Sequence, residues 1–399
     1  MTSWSLAGWI VVGVATLALL FFFVGIAATW RHTRRQPRLA PDAQLPPVSM
    51  LKPLKGLEDE LEANLESFFR QDYPAPFEIV ICTTEADDPA LDVARRVARR
   101  HPHVPTQFVL GDDDFGLNPK VANLSGALPA ARYDLVHQSD ANVRVPTDYL
   151  RRIVGEYIAA DASILTSVVI GVGERSIGGA LENLQLSAYI APAMCLALEA
   201  ANITCVCGKS MLLRKSELRE FGGLESVRNV LCEDFVLGER YKQAGKTVLL
   251  SPTAVRNVNA DCGLDRFFGR HSRWLKMRIT LHVPGFFADL FSNPIGLAAL
   301  AMLFSAFDPW VCAAAGAVMV AKTLADQVAL SLTRERMPLR YAWLSLLKDL
   351  ALIPLWVFAI FSRTVVWRGR RLRFGRHTQL VPLDAPIHET GELGLIETR

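Results

Sequence analysis

The sequence predicts an α/β domain held between apolar membrane segments. Three observations carry that expectation. The first 30 of the 399 residues include no charged side chain, short apolar runs alternate with helical segments over residues 48–252, and the chain turns apolar again after Pro284. A hydrophobic content of 51% fits a membrane protein better than a wholly soluble enzyme.

At the start, WIVVGVATLALLFFFVGIAATW is long enough to cross a bilayer, which takes roughly 20 helical residues. Residues 1–31 therefore read as a transmembrane helix. A signal peptide would need a basic start, a shorter apolar core and a small-residue cleavage site. RHTRRQPR follows, four arginines ahead of the first acid at Asp42, and the positive-inside rule then places the chain from Arg31 onward in the cytoplasm. Residues 32–47 form a basic, Pro-rich linker.

Residues 48–283 read as the cytosolic domain. Strands are expected at 48–51, 77–82, 106–110, 133–138, 163–170, 204–214 and 246–251, with helices that include 61–71 and 90–100. Residues 284–365 read as a membrane region of two spans plus one doubtful segment. The uncharged run 290–307 is expected to cross, and a second run begins at Pro309. Lys322 and Asp326 interrupt that second run at i, i+4 spacing, placed to pair on one helix face. The apolar stretch 350–362 is too short to cross, so 341–362 reads as interfacial or re-entrant. The tail 366–399, opening with WRGRRLRFGRH, then falls on the cytoplasmic side.

Several function classes drop out. The net charge of +3, from 43 cationic and 40 acidic residues, argues against a nucleic-acid binder with a basic surface. Seven cysteines form no C-x-x-C pair, so neither a zinc site nor a disulfide framework is indicated, and free thiols in a reducing compartment fit. C-G-K-S at 207–210 resembles the end of a phosphate-binding loop, but the glycine that loop needs at 203 is Ile203. No H-E-x-x-H and no G-x-S-x-G occurs. A transporter would place its polar residues within the spans, where only Lys322 and Asp326 qualify, and would leave the α/β domain unused.

Open parallel α/β sheets bind ligands at the carboxyl ends of their strands, so acids just after strands are the ones to weigh. Asp87 and Asp88 follow FEIVIC, Asp140 follows YDLVHQ, and Asp234 opens a helix in LCEDFVL. Each alone reads as a turn or N-cap residue. Together with the basic decapeptide GRHSRWLKMR at 269–278, they point to a sugar nucleotide. Its diphosphate leaving group needs a divalent cation on carboxylates, cationic side chains, or both. A separate carboxylate must take the proton from the attacking hydroxyl.

The ordered motifs VSMLKPLKG, NLESFFRQDYP, DDPA, NPKVANL, SDANVRVP, GKSMLLRKSEL, GGL, EDF and RHSRW resemble the ceramide glucosyltransferase family, the lipid-acceptor branch of inverting GT-A glycosyltransferases. The likeness covers about residues 48–278, with a weaker echo in WRGRRLRFG. It implies a GT-A type nucleotide-sugar-binding domain with a mixed, mostly parallel sheet, flanked by N- and C-terminal transmembrane helices. By the same resemblance Asp88 contacts the nucleotide, and Asn118 and Lys120 lie near it. Asp140 takes the D-x-D-like position that binds the diphosphate through Mg²⁺ or Mn²⁺. Asp234 is the catalytic base with Glu233 beside it, and Arg270, Arg273 and Trp274 form the (Q/R)-x-x-R-W motif. Cys205 matches a family cysteine and is read as structural.

Two departures stand out. Asn142 occupies the place of a second metal-binding acid, and Ala191 precedes Pro192 where the eukaryotic enzymes carry a histidine. The implied reaction moves a hexose, glucose from UDP-glucose, onto the primary hydroxyl of ceramide. It would run on the cytoplasmic face of a bacterial inner membrane. A hopanoid or other bacterial lipid as acceptor, UDP-GlcNAc as donor, and a non-catalytic nucleotide-sugar sensor remain as alternatives.

Within the decapeptide, helical spacing puts Arg270, Arg273 and Trp274 on one face, expected to meet substrate. Lys276 and Arg278 point elsewhere, expected to meet lipid head groups. Nucleic acid is set aside, since a single Trp gives no stacking platform.

Overall fold

The computed structural model describes residues 3–333, 337–367 and 370–383. The chain enters through α1 (Ser3–Arg34), 32 residues without an acid. The next strand, β1 (Val48–Pro53), is buried along its whole length, as a central parallel strand covered on both faces must be. Then come α2 (Leu61–Phe69), β2 (Phe77–Thr83), α3 (Pro89–Arg100), β3 (Thr106–Leu110) and α4 (Pro119–Ala130). Two of these helices start by the same device: Asp88 caps α3 and Asn118 caps α4, each followed by a proline in the first turn.

From β1 the chain moves outward through β2 and β3, all parallel. It then returns to the opposite side of β1 with β4 (Leu135–Gln138), again parallel. That reversal makes a switch point, and it opens a crevice at the carboxyl ends of β1 and β4. The turn holding Asp140 sits there. The domain continues through β5 (Val143–Arg144), α5 (Tyr149–Ala159), β6 (Ile164–Val172) and α6 (Ile177–Leu184). A π-helical stretch, Gln185–Ile190, leads into α7 (Ala191–Ala201), β7 (Met211–Arg214), α8 (Lys215–Glu220), α9 (Glu233–Gln243) and β8 (Val248–Val258).

The eight strands are ordered β3-β2-β1-β4-β7-β6-β8-β5. β7 runs antiparallel to both neighbours and β5 antiparallel to β8, so the sheet is mixed and mostly parallel, as expected. The expected strand 204–214 shrinks to β7. Its first half leaves the sheet as a loop that crosses the crevice, tied there by the Gly208 amide donating to Asp234 Oδ2 at 2.5 Å.

The membrane region departs further from expectation. It comprises α10 (Leu264–Leu281), α11 (Val283–Phe291), α12 (Pro294–Phe304), α13 (Pro309–Thr333) and α14 (Leu344–Phe361). Among the described residues, four helices are long and apolar enough to cross a membrane: Trp4–Arg34, Ile177–Ala201, Pro309–Thr333 and Leu339–Phe361. The run 290–307, expected to be one span, is instead broken by Asn293-Pro294. α11 and α12 meet there at 62°. With 11 residues, α12 reaches only about 16 Å, half a hydrocarbon core.

Conversely, the segment expected to be too short passes the test of length and apolarity. Lys348 and Asp349 do not end α14. They lie buried inside it and neutralise each other. The Ile177–Ala201 rod was not foreseen, because the π-helical stretch joins two short apolar helices into one. α1 packs on α12 and α13 through Val12, Ala15, Leu19, Leu297, Ala301 and Ala315.

The C-terminal segment is no free basic arm. β9 (Thr364–Trp367), β10 (Arg370–Phe374) and β11 (Leu380–Pro382) form an antiparallel sheet. It docks on the residues just ahead of α9. Leu231 N donates to Thr378 O at 3.0 Å, Leu380 N donates to Asn229 O at 2.6 Å, and Leu372, Phe374 and Leu380 pack on Leu231. The sheet thus braces the entry to Glu233 and Asp234. Residues 384–399 of the expected tail lie outside the described residues.

Candidate active site

A cavity of about 840 Å³ connects the crevice of the sheet with the membrane helices. Its walls include Asp140, Lys120, Lys209, Glu233 and Asp234 on the sheet side, and Leu352, Ile353 and Trp356 of α14 on the other. Three loops deliver the polar groups. The turn after β4 carries Asp140, the loop before β7 carries Gly208 and Lys209, and the first turn of α9 carries Glu233 and Asp234. A side chain at Gly208 would not fit: an added Cβ would lie 2.2 Å from Lys120 Nζ and 3.1 Å from Asp234 Oδ2. Only glycine lets this loop press onto the carboxylates.

Lys120 is the hub. Its Nζ lies 3.0 Å from Asp140 Oδ1 and 3.4 Å from Glu233 Oε1, and it donates to Gly208 O at 3.1 Å. Burial works against its charge, but the carboxylates of Asp140, Glu233 and Asp234 outweigh that and hold its pKa above the usual lysine value. Asp140 shows the reverse balance. Burial pushes its pKa up, and the stronger pull of Lys120 and Lys209 brings it well below the ordinary carboxylate range. Burial, reinforced by neighbouring Asp234 and opposed by Lys120, raises the Glu233 carboxyl to about 7. Asp234 is held by the backbone, since its Oδ2 accepts from Gly208 N and its Oδ1 from Phe235 N at 2.8 Å.

The (Q/R)-x-x-R-W residues lie on α10 along the cavity wall. Arg270 donates from Nη1 to Glu182 Oε1 at 2.7 Å and to Asn259 Oδ1 at 3.2 Å. The other oxygen of the fully buried Glu182 meets His271 Nε2 at 3.0 Å. Arg270 therefore anchors α10 to α6 as well as facing the cavity. His271 in turn packs edge-on against Trp274, with centroids 5.3 Å apart, so the indole is set by the same anchor.

The second set in the decapeptide is not where the sequence suggests. Lys276 is buried, donates to Thr364 O at 2.8 Å and sits 4.7 Å from the Phe358 ring centroid. It folds inward because the C-terminal sheet and α14 cover that face. Arg278 pairs with Asp289 at 2.9 Å and also lines the cavity. Neither matches a side chain reaching out to head groups.

Two residues expected near the nucleotide do not line the cavity. The Asp88 carboxylate is taken by backbone amides, Oδ2 by Gly56 N at 2.8 Å and Oδ1 by Ala90 N at 2.8 Å, so it shapes the loop after β1. Asn118 is buried and donates to Val230 O at 2.6 Å and Glu233 Oε2 at 3.1 Å, so it positions Glu233. Asp87 is exposed. Cys205 lines the cavity wall.

The sequence reading missed Lys52 and Lys209. Lys52, buried in β1, donates to the Asp140 carbonyl at 2.7 Å and fixes that turn. Both stood in quoted motifs, K-P-L-K-G and G-K-S, and the second was dismissed with the phosphate-binding loop. Also missed was Gln185, which lines the cavity from the π-helical stretch with a buried Oε1 that has no hydrogen-bond partner.

The residues present do not fit a resident Mg²⁺ or Mn²⁺ at Asp140. Lys120 stands on one of its oxygens and Lys209 on the other, each at 3.0 Å, and the Asn142 amide oxygen accepts from Lys209 at 2.8 Å. Among the described residues, no group of three or more His, Cys, Asp or Glu is arranged to hold a metal ion.

Compared with models of protein families, residues 10–380 match the model "Glycosyl transferase family 21". The chain belongs to that family. Ceramide glucosyltransferase 1 of Caenorhabditis elegans is 28% identical over 270 residues, covering 67% of this chain and 58% of that protein. The ceramide glucosyltransferase of Komagataella phaffii is 27% identical over 318 residues, covering 66% of this chain and 62% of that one. The matches thus span about three-fifths of these curated relatives. Among solved structures, the mannosyltransferase PcManGT from Pyrobaculum calidifontis, in complex with GDP-Man and Mn²⁺, aligns with 88% of this chain and 95% of its own. Its sequence identity is 18% and its TM-score 0.45.

Proposed function

We propose that the chain is a membrane-embedded inverting glycosyltransferase that moves glucose from UDP-glucose onto the primary hydroxyl of a ceramide. The observation that carries this reading is one cavity joining carboxylates at the sheet's switch point to a wall of apolar membrane helices. A water-soluble donor and an amphiphilic acceptor need that combination of surfaces. The ceramide glucosyltransferases among the relatives support the same choice.

In this reading the donor's diphosphate lies over the Asp140 turn and the acceptor enters from the α14 side. The acceptor hydroxyl gives its proton to Asp234 as its oxygen attacks the anomeric carbon. The bond from that carbon to the diphosphate oxygen breaks on the opposite face, and its electron pair leaves with UDP. Two backbone amides orient the Asp234 carboxylate for this task, and each of its oxygens keeps a lone pair for the incoming proton. Trp274 borders the acceptor, and Arg273 faces the departing diphosphate. A divalent cation, if recruited together with the nucleotide, would add further charge neutralisation there; no step above depends on it. The arginines that follow α1 favour the cytoplasmic face for this chemistry.

The test is direct. Membranes containing the chain are incubated with labelled UDP-glucose and UDP-GlcNAc against a panel of ceramide, hopanoid and glycerolipid acceptors. Glucosylated ceramide is the expected product. Transfer confined to another lipid or to GlcNAc would overturn the assignment of acceptor or donor.

A further inference from the structure

Three lysines converge on the turn after β4. Lys52 holds its backbone carbonyl, Lys120 lies on Asp140 Oδ1, and Lys209 bridges Asp140 Oδ2 and Asn142 Oδ1 at 3.0 and 2.8 Å. The space between those last two oxygens is where a cation shared by a D-x-D-like pair would sit. An ammonium group fills it. Magnesium asks for six oxygens at about 2.0–2.1 Å in octahedral array, whereas Asp140 is the one carboxylate on this turn and Asn142 adds only a neutral amide oxygen.

The arrangement is built rather than incidental. Lys209 and Lys120 are coupled by a single loop, since the Gly208 carbonyl accepts from Lys120 Nζ while the next residue carries Lys209. Glycine at 208 is what permits that approach. Both lysines and Asp140 line the cavity. An ammonium has three donors, and Asp140 and Asn142 take two from Lys209. The third can meet an anion in the cavity.

We propose that Lys209, seconded by Lys120, binds the diphosphate of the sugar nucleotide in place of a divalent cation, so that donor binding and transfer proceed without Mg²⁺ or Mn²⁺. This rests on the sugar-nucleotide reading above. Lys209 becomes the residue that meets the charge developing on the leaving group, with Asp140 and Asn142 aiming its ammonium.

The experiment uses the full chain purified in detergent micelles, with UDP as probe. Binding is followed by calorimetry in EDTA and in Mg²⁺, and bound Mn²⁺ by electron paramagnetic resonance. For the unmodified chain, the affinity for UDP should differ less than about threefold between EDTA and Mg²⁺, and UDP should recruit no tightly bound Mn²⁺. Lys209→Met should weaken UDP binding in EDTA by on the order of 10- to 100-fold, the size expected for a lost charged hydrogen bond. Lys209→Arg, which keeps a cation, should recover most of that loss.

A hundredfold or greater loss of UDP affinity in EDTA by the unmodified chain, restored by Mg²⁺, would overturn the proposal. So would an unaffected Lys209→Met, or an arginine variant as weak as the methionine one. If the folded, unmodified chain binds no UDP under either condition, the sugar-nucleotide reading itself fails and takes this inference with it.

Discussion

Two clusters of buried charge face the same cavity, and they are built on opposite plans. In the crevice of the sheet, Lys120 and Lys209 meet Asp140, Glu233 and Asp234, all carried by loops or the first turn of a helix. Between α13 and α14, Lys322 pairs with Asp326 at 2.6 Å and with Asp349 at 3.3 Å, and Lys348 pairs with Asp349. The second cluster is balanced, two cations to two carboxylates, and ties two helices together. The first has a carboxylate to spare and a cavity against it. Balance marks a clamp, and an unmatched acid beside a cavity marks a place where a proton can go.

The sharpest break between them is Asp234→Asn. The amide keeps the shape of the side chain and cannot take the acceptor's proton, so turnover should fall on the order of 10²–10⁴-fold, while the folded yield stays normal. Near-normal transfer by this variant would remove Asp234 as the base.

The clamp should respond in stability instead. Lys322→Met leaves Asp326 buried without its cation and should cost about 3–5 kcal/mol, read as the unfolding midpoint in detergent. Replacing Lys322 and Asp326 together with apolar residues should recover most of that loss and leave turnover per folded molecule unchanged. If the double variant stays folded but loses turnover, the second cluster is no mere clamp.

α10 offers a finer division. Arg273→Lys should lower turnover through the loss of planar, paired donors toward phosphate. Lys276→Met should leave turnover alone and shift only stability, by about 1–3 kcal/mol, because the Thr364 carbonyl loses its partner. Equal effects on turnover would erase the distinction between the two sides of the helix.

The smallest effect is one of pH. Glu233 is raised from 4.5 in the unfolded chain to about 7 in the folded one. Between those values the folded state holds a proton that the unfolded state has lost, so this group's contribution to stability falls as pH rises from 4.5 to 7 and is level above. Glu233→Gln should flatten that slope in unfolding midpoints measured across the window. An unchanged slope would mean that Glu233 does not carry the shift.

The contrast also explains what could be read in the sequence. Strand-end position singled out Asp140 and Asp234, because the rule depends on strand order and needs no side-chain geometry. The i, i+4 spacing likewise picked out Lys322 and Asp326. Asp88 and Asn118 were recognisable as N-caps, yet which backbone amides and carboxylates they serve depends on distant segments, Gly56 in one case and Glu233 in the other. Lys209 escaped because its partners lie 67 and 69 residues earlier in the chain. The direction of Lys276 was misjudged for the same reason: the C-terminal sheet that covers it is remote in sequence. The break at Asn293-Pro294 was visible in the letters and was outweighed by apolarity, although proline opening a helix behind an asparagine cap is a local signal.

The most direct test of the account is the configuration of the product. With the purified chain, UDP-α-glucose and ceramide, proton NMR of the glycolipid should show a β linkage to the primary hydroxyl, formed by the unmodified chain and nearly absent with Asp234→Asn. An α linkage, or an undiminished β product from Asp234→Asn, would contradict a single inverting displacement driven from Asp234.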